Sequence, residues 1–192
     1  MIPSVAECFQ LIEKYRMLEN IRAHTIVVAG IAELIGRRMQ DVGMNISIDV
    51  VIAGALMHDI GKTPCLNTKE RHDLKGKEIC LEHGFDEIAA IVEEHVCLKN
   101  GVPVTGITEK ELVFYSDKRV NHDKVVPLEE RLAYVLKRYG QSDEYFLHLI
   151  RENFEICRAV ENRVFEHLDM APNDLAEMIE QFPSITFKDY NK

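Results

Sequence analysis

The stretch ALMHDIGK, residues 55–62, ends an apolar run with a histidine and an aspartate, which a glycine and a lysine follow at once. Because adjacent residues on a helix diverge by about 100°, His58 and Asp59 cannot share one exposed face, and a position between helices suits them. An imidazole beside a carboxylate makes a good pair of metal ligands. The alternative is a helix end with Gly61 as its stop signal and two solvated polar residues.

The composition is typical of a soluble globular protein, with 46% hydrophobic and 29% charged residues in a chain of 192. That length fits one domain, or one domain with a helical appendage, and can bury a sizeable core. The net charge of −9 argues against broad nucleic-acid binding, which needs a surplus of Lys and Arg. A small phosphorylated ligand is compatible with this charge, because divalent cations would reverse the local field.

The five cysteines are scattered, odd in number and without a Cys-x-x-Cys pair, which favours reduced thiols in a cytoplasmic protein. No basic and then apolar leader opens the chain, and no apolar run approaches the length of a membrane span. We therefore expect a cytoplasmic protein with no membrane attachment.

Helical periodicity dominates the sequence, and no convincing alternating strand pair appears, so we predict an all-α fold. The first predicted helices cover about residues 4–19, 21–40, 47–59, 71–82 and 86–96. Further helices are expected from the capping box at Thr108, over 127–139, from a cap at Ser142 along an apolar stripe to residue 168, and over 172–180. Prolines and glycines predict loops over 61–69 and 98–107.

Four further polar residues lie on helix faces that periodicity predicts to be buried: His24, His72, His95 and Asp117. A single histidine on an apolar stripe is more often a core residue than a ligand. Here three histidines come from three helices, and a buried carboxylate without a partner costs about several kcal/mol. Common cations would satisfy all of these groups, so the pattern predicts a metal site. His83 lies at a helix end and is the candidate ligand if His72 is not one. The remaining histidines are interpreted as loop or surface residues: His122, His148 and His167.

The ordered set resembles the HD-domain superfamily of metal-dependent phosphohydrolases, specifically its HDIG branch. The matching pattern covers about residues 21–120 and consists of His24, His58-Asp59-Ile60-Gly61-Lys62, His72-x-x-x-Gly76, His95, and Asp117 within Tyr-Ser-Asp-Lys-Arg. The resemblance implies an all-α bundle with a single HD-domain core over residues 1–125. Additional C-terminal helices over 126–192 are expected to pack on this core.

The resemblance also implies a ligand set. In the family, the positions matching His24, His58, Asp59 and Asp117 hold one metal ion. Those matching His72 and His95 hold a second, with Asp59 bridging the two. This implies two ions of iron, manganese or a similar metal, with magnesium, nickel, cobalt and zinc as alternatives. The implied reaction is hydrolysis of a phosphoester or phosphoanhydride bond in a nucleotide or related small phosphate compound, because two cations can activate water and clamp both oxygens of an in-line displacement.

Asp59 and Lys62 are the predicted catalytic residues. Lys62 lies one short turn after Asp59, where an ammonium group could offset negative charge on a phosphate in the transition state. Lys118 and Arg119 flank Asp117 and are further candidates for substrate contact, because helix geometry is expected to turn at least one of them outward. Lys62 also has a simpler interpretation, as a solvated loop lysine.

The segment around His95 bears on the substrate. The cyclic-dinucleotide branch of the family has paired histidines there and a Gly-Tyr-Pro signature afterwards, whereas this chain has Glu94-His95 and then Asn100-Gly-Val-Pro103. The arrangement is more similar to small stand-alone hydrolases of dinucleoside polyphosphates. The alternatives are a non-catalytic module that senses a nucleotide or metal, a mononuclear nucleotidase, and a homodimeric scaffold. No expected ligand is missing, so we expect turnover.

Overall fold

The computed structural model describes residues 1–101, 106–140 and 143–184. The regular structure in these ranges is almost entirely helical, which confirms the predicted all-α fold, and none of its helices is long and apolar enough to cross a membrane. The helices are α1 Val5–Lys14, α2 Glu19–Asp41, α3 Ile48–Met57, α4 His72–Glu82, α5 Asp86–Glu94, α6 Glu109–Lys118, α7 Leu128–Arg138, α8 Glu144–Phe165 and α9 Leu175–Gln181. A small antiparallel hairpin of β1 Val120–Asn121 and β2 Lys124–Val125 lies between α6 and α7.

Helix α3 lies at the centre of the bundle. Every residue from Val51 to Met57 is buried, so the helix is apolar around its whole circumference. A helix of this kind must be surrounded by other elements, and α1, α2, α5 and α6 pack around it. His58 and Asp59 follow α3 directly and are therefore inside the protein, with exposures of 0% and 1%.

Two glycines allow the turn after α3 to approach α4. A Cβ atom on Gly61 would lie 2.1 Å from the carbonyl oxygen of His72 and 2.7 Å from the backbone nitrogen of Gly76, both on α4. One on Gly76 would lie 3.4 Å from Cγ2 of Ile60 in that turn, and 2.6 Å from Cγ1 of Val92 on α5. Any side chain at these positions would push the two elements apart. The close backbone approach expected at Gly76 is confirmed, and it sets His72 beside the end of α3.

Several local predictions are wrong, each for a physical reason. The first helix ends at Lys14 and not near residue 19, because the chain reverses through Arg16, which has a positive φ of 52°. The hairpin was not predicted, because strands of two residues are too short to show alternation. Helix α8 is capped by Asp143, whose Oδ1 accepts a hydrogen bond from the backbone N–H of Phe146 at 2.8 Å. The predicted cap, Ser142, lies outside the described residues.

The helices that follow the hairpin cover one side of the bundle. Helix α8 packs on α6 and α7, and α9 packs on α2. The expected apolar stripe of α8 is buried only in its later part, at Phe154, Cys157, Val160 and Val164. Its earlier members Phe146 and Leu149 are each 40% exposed. This arrangement brings α7 to the side of the bundle on which His24 and Asp59 lie.

Candidate metal centre

The structure brings all six predicted ligands together from five helices. His24 lies on α2, His58 is the C-terminal cap of α3, and Asp59 follows His58. The other three ligands are His72 at the start of α4, His95 at the C-terminal cap of α5, and Asp117 near the end of α6. Two sets of ligand atoms lie within 4.8 Å of one another. These are His24, His58 and Asp59, and then Asp59, His72 and His95. We refer to these as the first and second ligand groups.

The first ligand group also includes Asp117. Nε2 of His24 lies 3.0 Å from Oδ1 of Asp117 and 4.0 Å from Oδ2 of Asp59. Nε2 of His58 lies 3.2 Å from Oδ2 of Asp59 and 3.8 Å from Oδ1 of Asp117. Two imidazoles and two carboxylates thus meet around one small volume, where each ring faces both anions.

The second ligand group uses the other oxygen of Asp59. Nε2 of His95 lies 3.4 Å from Oδ1 of Asp59, and Nε2 of His72 lies 3.8 Å from the same atom. The two Nε2 atoms lie 3.3 Å apart. Asp59 therefore joins the groups, with Oδ2 towards the first and Oδ1 towards the second.

Backbone carbonyls orient three of the histidine rings. The hydrogen bonds join Nδ1 of His24 to the oxygen of His122 (2.9 Å), Nδ1 of His58 to that of Ala55 (2.6 Å), and Nδ1 of His95 to that of Val92 (2.6 Å). A carbonyl only accepts, so each Nδ1 carries the hydrogen and Nε2 of the neutral ring presents a lone pair. Three lone pairs consequently point at carboxylates.

This arrangement leaves buried polar atoms without partners. Nε2 of His58 and Oδ1 of Asp59 have no hydrogen-bond partner among the described residues. Burying such atoms unsatisfied is costly, and native proteins avoid it except where another group supplies the contact. A cation in each ligand group would satisfy these atoms, one at Nε2 of His58 and one at Oδ1 of Asp59, because a cation accepts electron density from an imidazole and a carboxylate alike. The donor set therefore fits divalent metal ions.

At the two carboxylates and at His72, the electrostatics favour the protonation states that bind cations. Although burial opposes it, His58 and Lys62 hold the pKa of Asp59 well below its usual value, and Lys118 and His24 do the same for the pKa of Asp117. Burial, together with the neighbouring His95, lowers the pKa of His72 to about 4. Metal binding needs ionised carboxylates and neutral imidazoles.

His58 and His95 respond differently to this environment. Burial lowers the pKa of His95. Burial opposes protonation of His58 as well, but the carboxylates of Asp59 and Asp117 outweigh it and raise the pKa of that ring. A ring that faces two anions gains from positive charge at Nε2, and a bound cation would supply that charge to the ring and to both carboxylates.

Lys62 lies at the edge of the first ligand group. Its Nζ donates a hydrogen bond to Oδ2 of Asp59 at 2.6 Å, and its side chain is 36% exposed. A depression of about 110 Å³ opens there, lined in part by His24, Asp59 and Lys62. The remaining polar lining was not predicted as part of the site: Asn20, His122, Arg131, Tyr134 and Arg138. An arginine on the polar face of a helix gives the same sequence signal whether it borders a site or bulk solvent.

Lys118 does not lie where the sequence predicted. The expectation that helix geometry turns either Lys118 or Arg119 outward is wrong, because their side chains are 8% and 2% exposed. Nζ of Lys118 donates to Oδ2 of Asp117 at 3.0 Å and to the carbonyl oxygen of His95. Its ammonium group therefore bonds to one residue of each ligand group, Asp117 and His95, within the protein interior.

Arg119 is enclosed by the C-terminal helices, which the helical pattern of α6 alone does not reveal. Its guanidinium donates to the carbonyl oxygens of Val126 (2.7 Å) and Pro172 (2.8 Å) and to Oε2 of Glu161 (3.1 Å). Neither Lys118 nor Arg119 lines the depression. Their contacts are with protein groups.

The side chains of His83, His122 and His148 belong to neither ligand group. His83 caps the C-terminus of α4, and its Nε2 lies 3.2 Å from Nζ of Lys14 and 3.3 Å from the hydroxyl of Tyr15. His148 is exposed and pairs with Glu152. His122 lies in the turn of the hairpin with a positive φ of 55°, so it is a loop residue as expected, although its carbonyl orients His24.

Comparison with known proteins identifies the family. The family model of the HD domain matches residues 21–118, just over half of the chain. The chain belongs to the HD domain family. This membership confirms the resemblance to the superfamily of metal-dependent phosphohydrolases, and the match contains all six residues of the two ligand groups.

An uncharacterized protein of Methanocaldococcus jannaschii is 27% identical over 153 residues, which cover 72% of this chain and 88% of that protein. A tRNA (cytidine(56)-2'-O)-methyltransferase of Thermoplasma volcanium is 29% identical over 143 residues, covering 68% of this chain. The enzyme of the same name from Picrophilus torridus is 30% identical over 144 residues, covering 67%. The chain spans only 40% of the length of each methyltransferase. No solved structure matches the chain.

Proposed function

We propose that this protein is a metal-dependent phosphohydrolase that cleaves a phosphoester or phosphoanhydride bond in a nucleotide or a related small phosphate compound. The observation that carries the proposal is the convergence of Nε2 lone pairs on buried carboxylates, with Nε2 of His58 and Oδ1 of Asp59 left without partners. Cations satisfy these atoms, and membership of the HD domain family supports the same chemistry.

In this proposal the two ligand groups hold one cation each. His24, His58, Asp59 and Asp117 hold the first, and Asp59, His72 and His95 hold the second. Imidazole and carboxylate ligands suit iron, manganese and similar divalent or transition metals. When bound, such a pair supplies Lewis-acid activation of water and of the phosphate.

The protein's own groups orient the ligands and complement the charge of the substrate. The backbone carbonyls bonded to Nδ1 of the histidines fix each ring and raise its basicity. Asp59 is held between the groups by its position after α3, and it orients Lys62 through the 2.6 Å ion pair. The exposed side of Lys62 faces the depression, where its ammonium group can offset the negative charge that develops on a phosphate.

The relatives support a nucleotide-containing substrate, because two of them are named for activity on tRNA. The net charge of −9 disfavours an extended grip on a whole RNA, which would require many phosphate contacts from Lys and Arg. A small nucleotide fits both observations. Methyl transfer is not part of the proposal, since the chain spans only 40% of those enzymes.

The test is a panel assay on protein purified without chelators and reconstituted separately with Mn²⁺, Fe²⁺ and Mg²⁺. The panel contains mono-, di- and triphosphates, cyclic nucleotides and dinucleotides, with product release and metal content measured on the same sample. We expect close to two metal ions per chain and hydrolysis that a chelator abolishes. Absence of metal uptake would contradict the proposal, and binding of metal and nucleotide without turnover would establish the non-catalytic sensing module instead.

A further inference from the structure

Three basic side chains line the depression beside the first ligand group: Lys62, Arg131 and Arg138. Lys62 pairs with Asp59. Arg131 and Arg138 also line the depression, and neither guanidinium has a carboxylate within 4.0 Å among the described residues. Arg131 is partly buried and Arg138 is exposed, so both guanidinium groups are open to an anion that enters the depression.

Neutral groups hold both arginines in place. Arg131, Tyr134 and Arg138 are spaced i, i+3 and i+7 on α7 and therefore share one face of the helix. The guanidinium of Arg131 lies 5.7 Å from the ring centre of Tyr134, and its Nη1 donates to Oδ1 of Asn121 at 2.9 Å. Nη1 of Arg138 lies 3.5 Å from the hydroxyl of Tyr134. These contacts orient the guanidinium groups without neutralising their charge.

Arg131 and Arg138 are suited to bind an anionic group of the substrate. A guanidinium presents several N–H groups in a planar fork that matches the oxygens of a phosphate. Each arginine uses one of these groups on a neighbouring residue in the contacts above, which leaves others for a ligand. Helix α7 also lies outside residues 21–118, so this face belongs to the part of the chain that the family match does not include.

We propose that Arg131 and Arg138, oriented by Tyr134, bind a second phosphate group of the substrate, next to the phosphate that reacts at the ligand groups. The proposal rests on the proposed function and narrows its substrate class to nucleotides with more than one phosphate group. A nucleoside monophosphate leaves the pair of arginines without an anion. Tyr134 acts as a positioning residue, because its own ring and hydroxyl are engaged by the two guanidinium groups.

The test compares two ligands that share the nucleoside. Binding of AMP and of the methylene analogue of ADP, whose bridge cannot be hydrolysed, is measured by calorimetry on Mn²⁺-loaded protein at constant free Mn²⁺. The variants are Arg131→Gln, Arg138→Gln and Tyr134→Phe. Lys137→Gln is the matched control, because it removes one positive charge from the same helix at an exposed position that does not line the depression. Metal content and thermal melting are recorded for every variant.

We expect the wild type to bind the ADP analogue more tightly than AMP. Each arginine variant should lose about tenfold in affinity for the analogue, as expected for a lost charge-assisted hydrogen bond, while its affinity for AMP changes less than about twofold. Tyr134→Phe should reduce the same preference, and Lys137→Gln should retain it. A wild type with no preference, or arginine variants that bind both ligands equally weakly, would overturn the subsite. Metal and analogue binding without hydrolysis of any compound would contradict the proposed function and still support the subsite.

Discussion

Oδ1 of Asp59 lies 3.4 Å from Nε2 of His95 and has no hydrogen-bond donor among the described residues. The other nitrogen of His95 donates to the carbonyl of Val92, so a lone pair on Nε2 faces the anionic oxygen. Two electron-rich atoms in this position repel each other unless positive charge lies near both. Nε2 of His58 likewise faces Oδ2 of Asp59, which also accepts from Lys62, and the neighbouring carboxylates raise the pKa of that ring, so positive charge is favoured there too. The cluster is therefore a poor element of a core and a good pair of metal sites.

Metal ions should consequently stabilise the fold. A ligand that binds only the native state, at about 1,000 times its dissociation constant, adds about 4 kcal/mol to the free energy of unfolding. For a chain of 192 residues this corresponds to a rise in Tm of roughly 10 °C. Thermal melts of chelated and Mn²⁺-loaded protein measure the difference. Equal melting temperatures at saturating Mn²⁺ would show that these buried groups are satisfied in another way.

Substitution of Asp59 should remove both metal and activity. Asp59→Ala takes away the carboxylate shared by the two ligand groups, so metal content should fall towards zero and hydrolysis should become undetectable. The helical fold should persist, because the cluster does not provide the apolar packing of α3. Asp49→Ala is the control, since it removes an exposed carboxylate from α3, the helix that Asp59 follows. Circular dichroism, elemental analysis and phosphate release on the same samples decide the matter, and retained activity in Asp59→Ala would exclude it as a ligand.

Much of the site could be predicted from sequence because its histidines interrupt apolar helical stripes. His24 lies at i, i+4, i+7 and i+11 spacing with Val28, Ile31 and Ile35, and all four are buried in the structure. The same pattern placed His95 and Asp117 on inward faces, where they are 2% and 8% exposed, whereas His72, predicted likewise, has a side chain that is 30% exposed because it lies at the start of α4. A polar residue on a buried face is informative, because it must find a partner.

The rest could not be predicted, because it depends on which element covers which face. In the sequence, the polar face of α7 looks like an ordinary solvated helix face. Only the fold, in which the hairpin precedes α7, places that face beside His24. We expected the side chain of Lys118 or Arg119 to point outward. The sequence of α6 carries no signal that α8 and the turn before α9 enclose its end. The carbonyls that orient the histidines are backbone atoms, for which the sequence carries no residue-specific signal.

Gly61 offers a steric test of the geometry. Gly61→Ala would place a Cβ atom 2.1 Å from the carbonyl oxygen of His72 and 2.7 Å from the nitrogen of Gly76. Both neighbours are backbone atoms and cannot rotate away, so α4 must shift. We expect a loss of about 1–3 kcal/mol in the free energy of unfolding and weaker binding of the second metal ion, because His72 moves with α4.

Gly140→Ala is the milder comparison for this variant, since its Cβ atom would lie 3.2 Å from the carbonyl oxygen of Leu136, a tight contact that a shift of a few tenths of an ångström relieves. Its loss of stability should be smaller than that of Gly61→Ala, below about 1 kcal/mol. Denaturant unfolding and metal titration measure both effects. A Gly61→Ala protein of wild-type stability would mean that the turn after α3 does not approach α4 as closely as described.

Lys118 is expected to act on the metal ligands and not on the substrate. Lys118→Met keeps the aliphatic bulk but removes the ammonium group that bonds Asp117 and the carbonyl of His95. Loss of one partner of a buried charge pair should cost about 3–5 kcal/mol of stability and weaken metal binding. Lys124→Met, at an exposed position of the hairpin, should do neither. A rise in KM with unchanged stability and metal content would instead support direct substrate contact.

The second ligand group can be separated from the first by its histidines. His72→Ala and His95→Ala should each lower the metal content towards one ion per chain, because the first group keeps His24, His58, Asp59 and Asp117. Activity should fall by at least about 100-fold, since one cation cannot clamp both sides of the phosphorus. His83→Ala is the control, because its ring contacts Lys14 and Tyr15 outside both ligand groups. Metal counts and turnover are compared under one metal condition. If His72→Ala and His95→Ala both kept the wild-type metal content and rate, the site would hold a single ion and a mononuclear nucleotidase would become the better description.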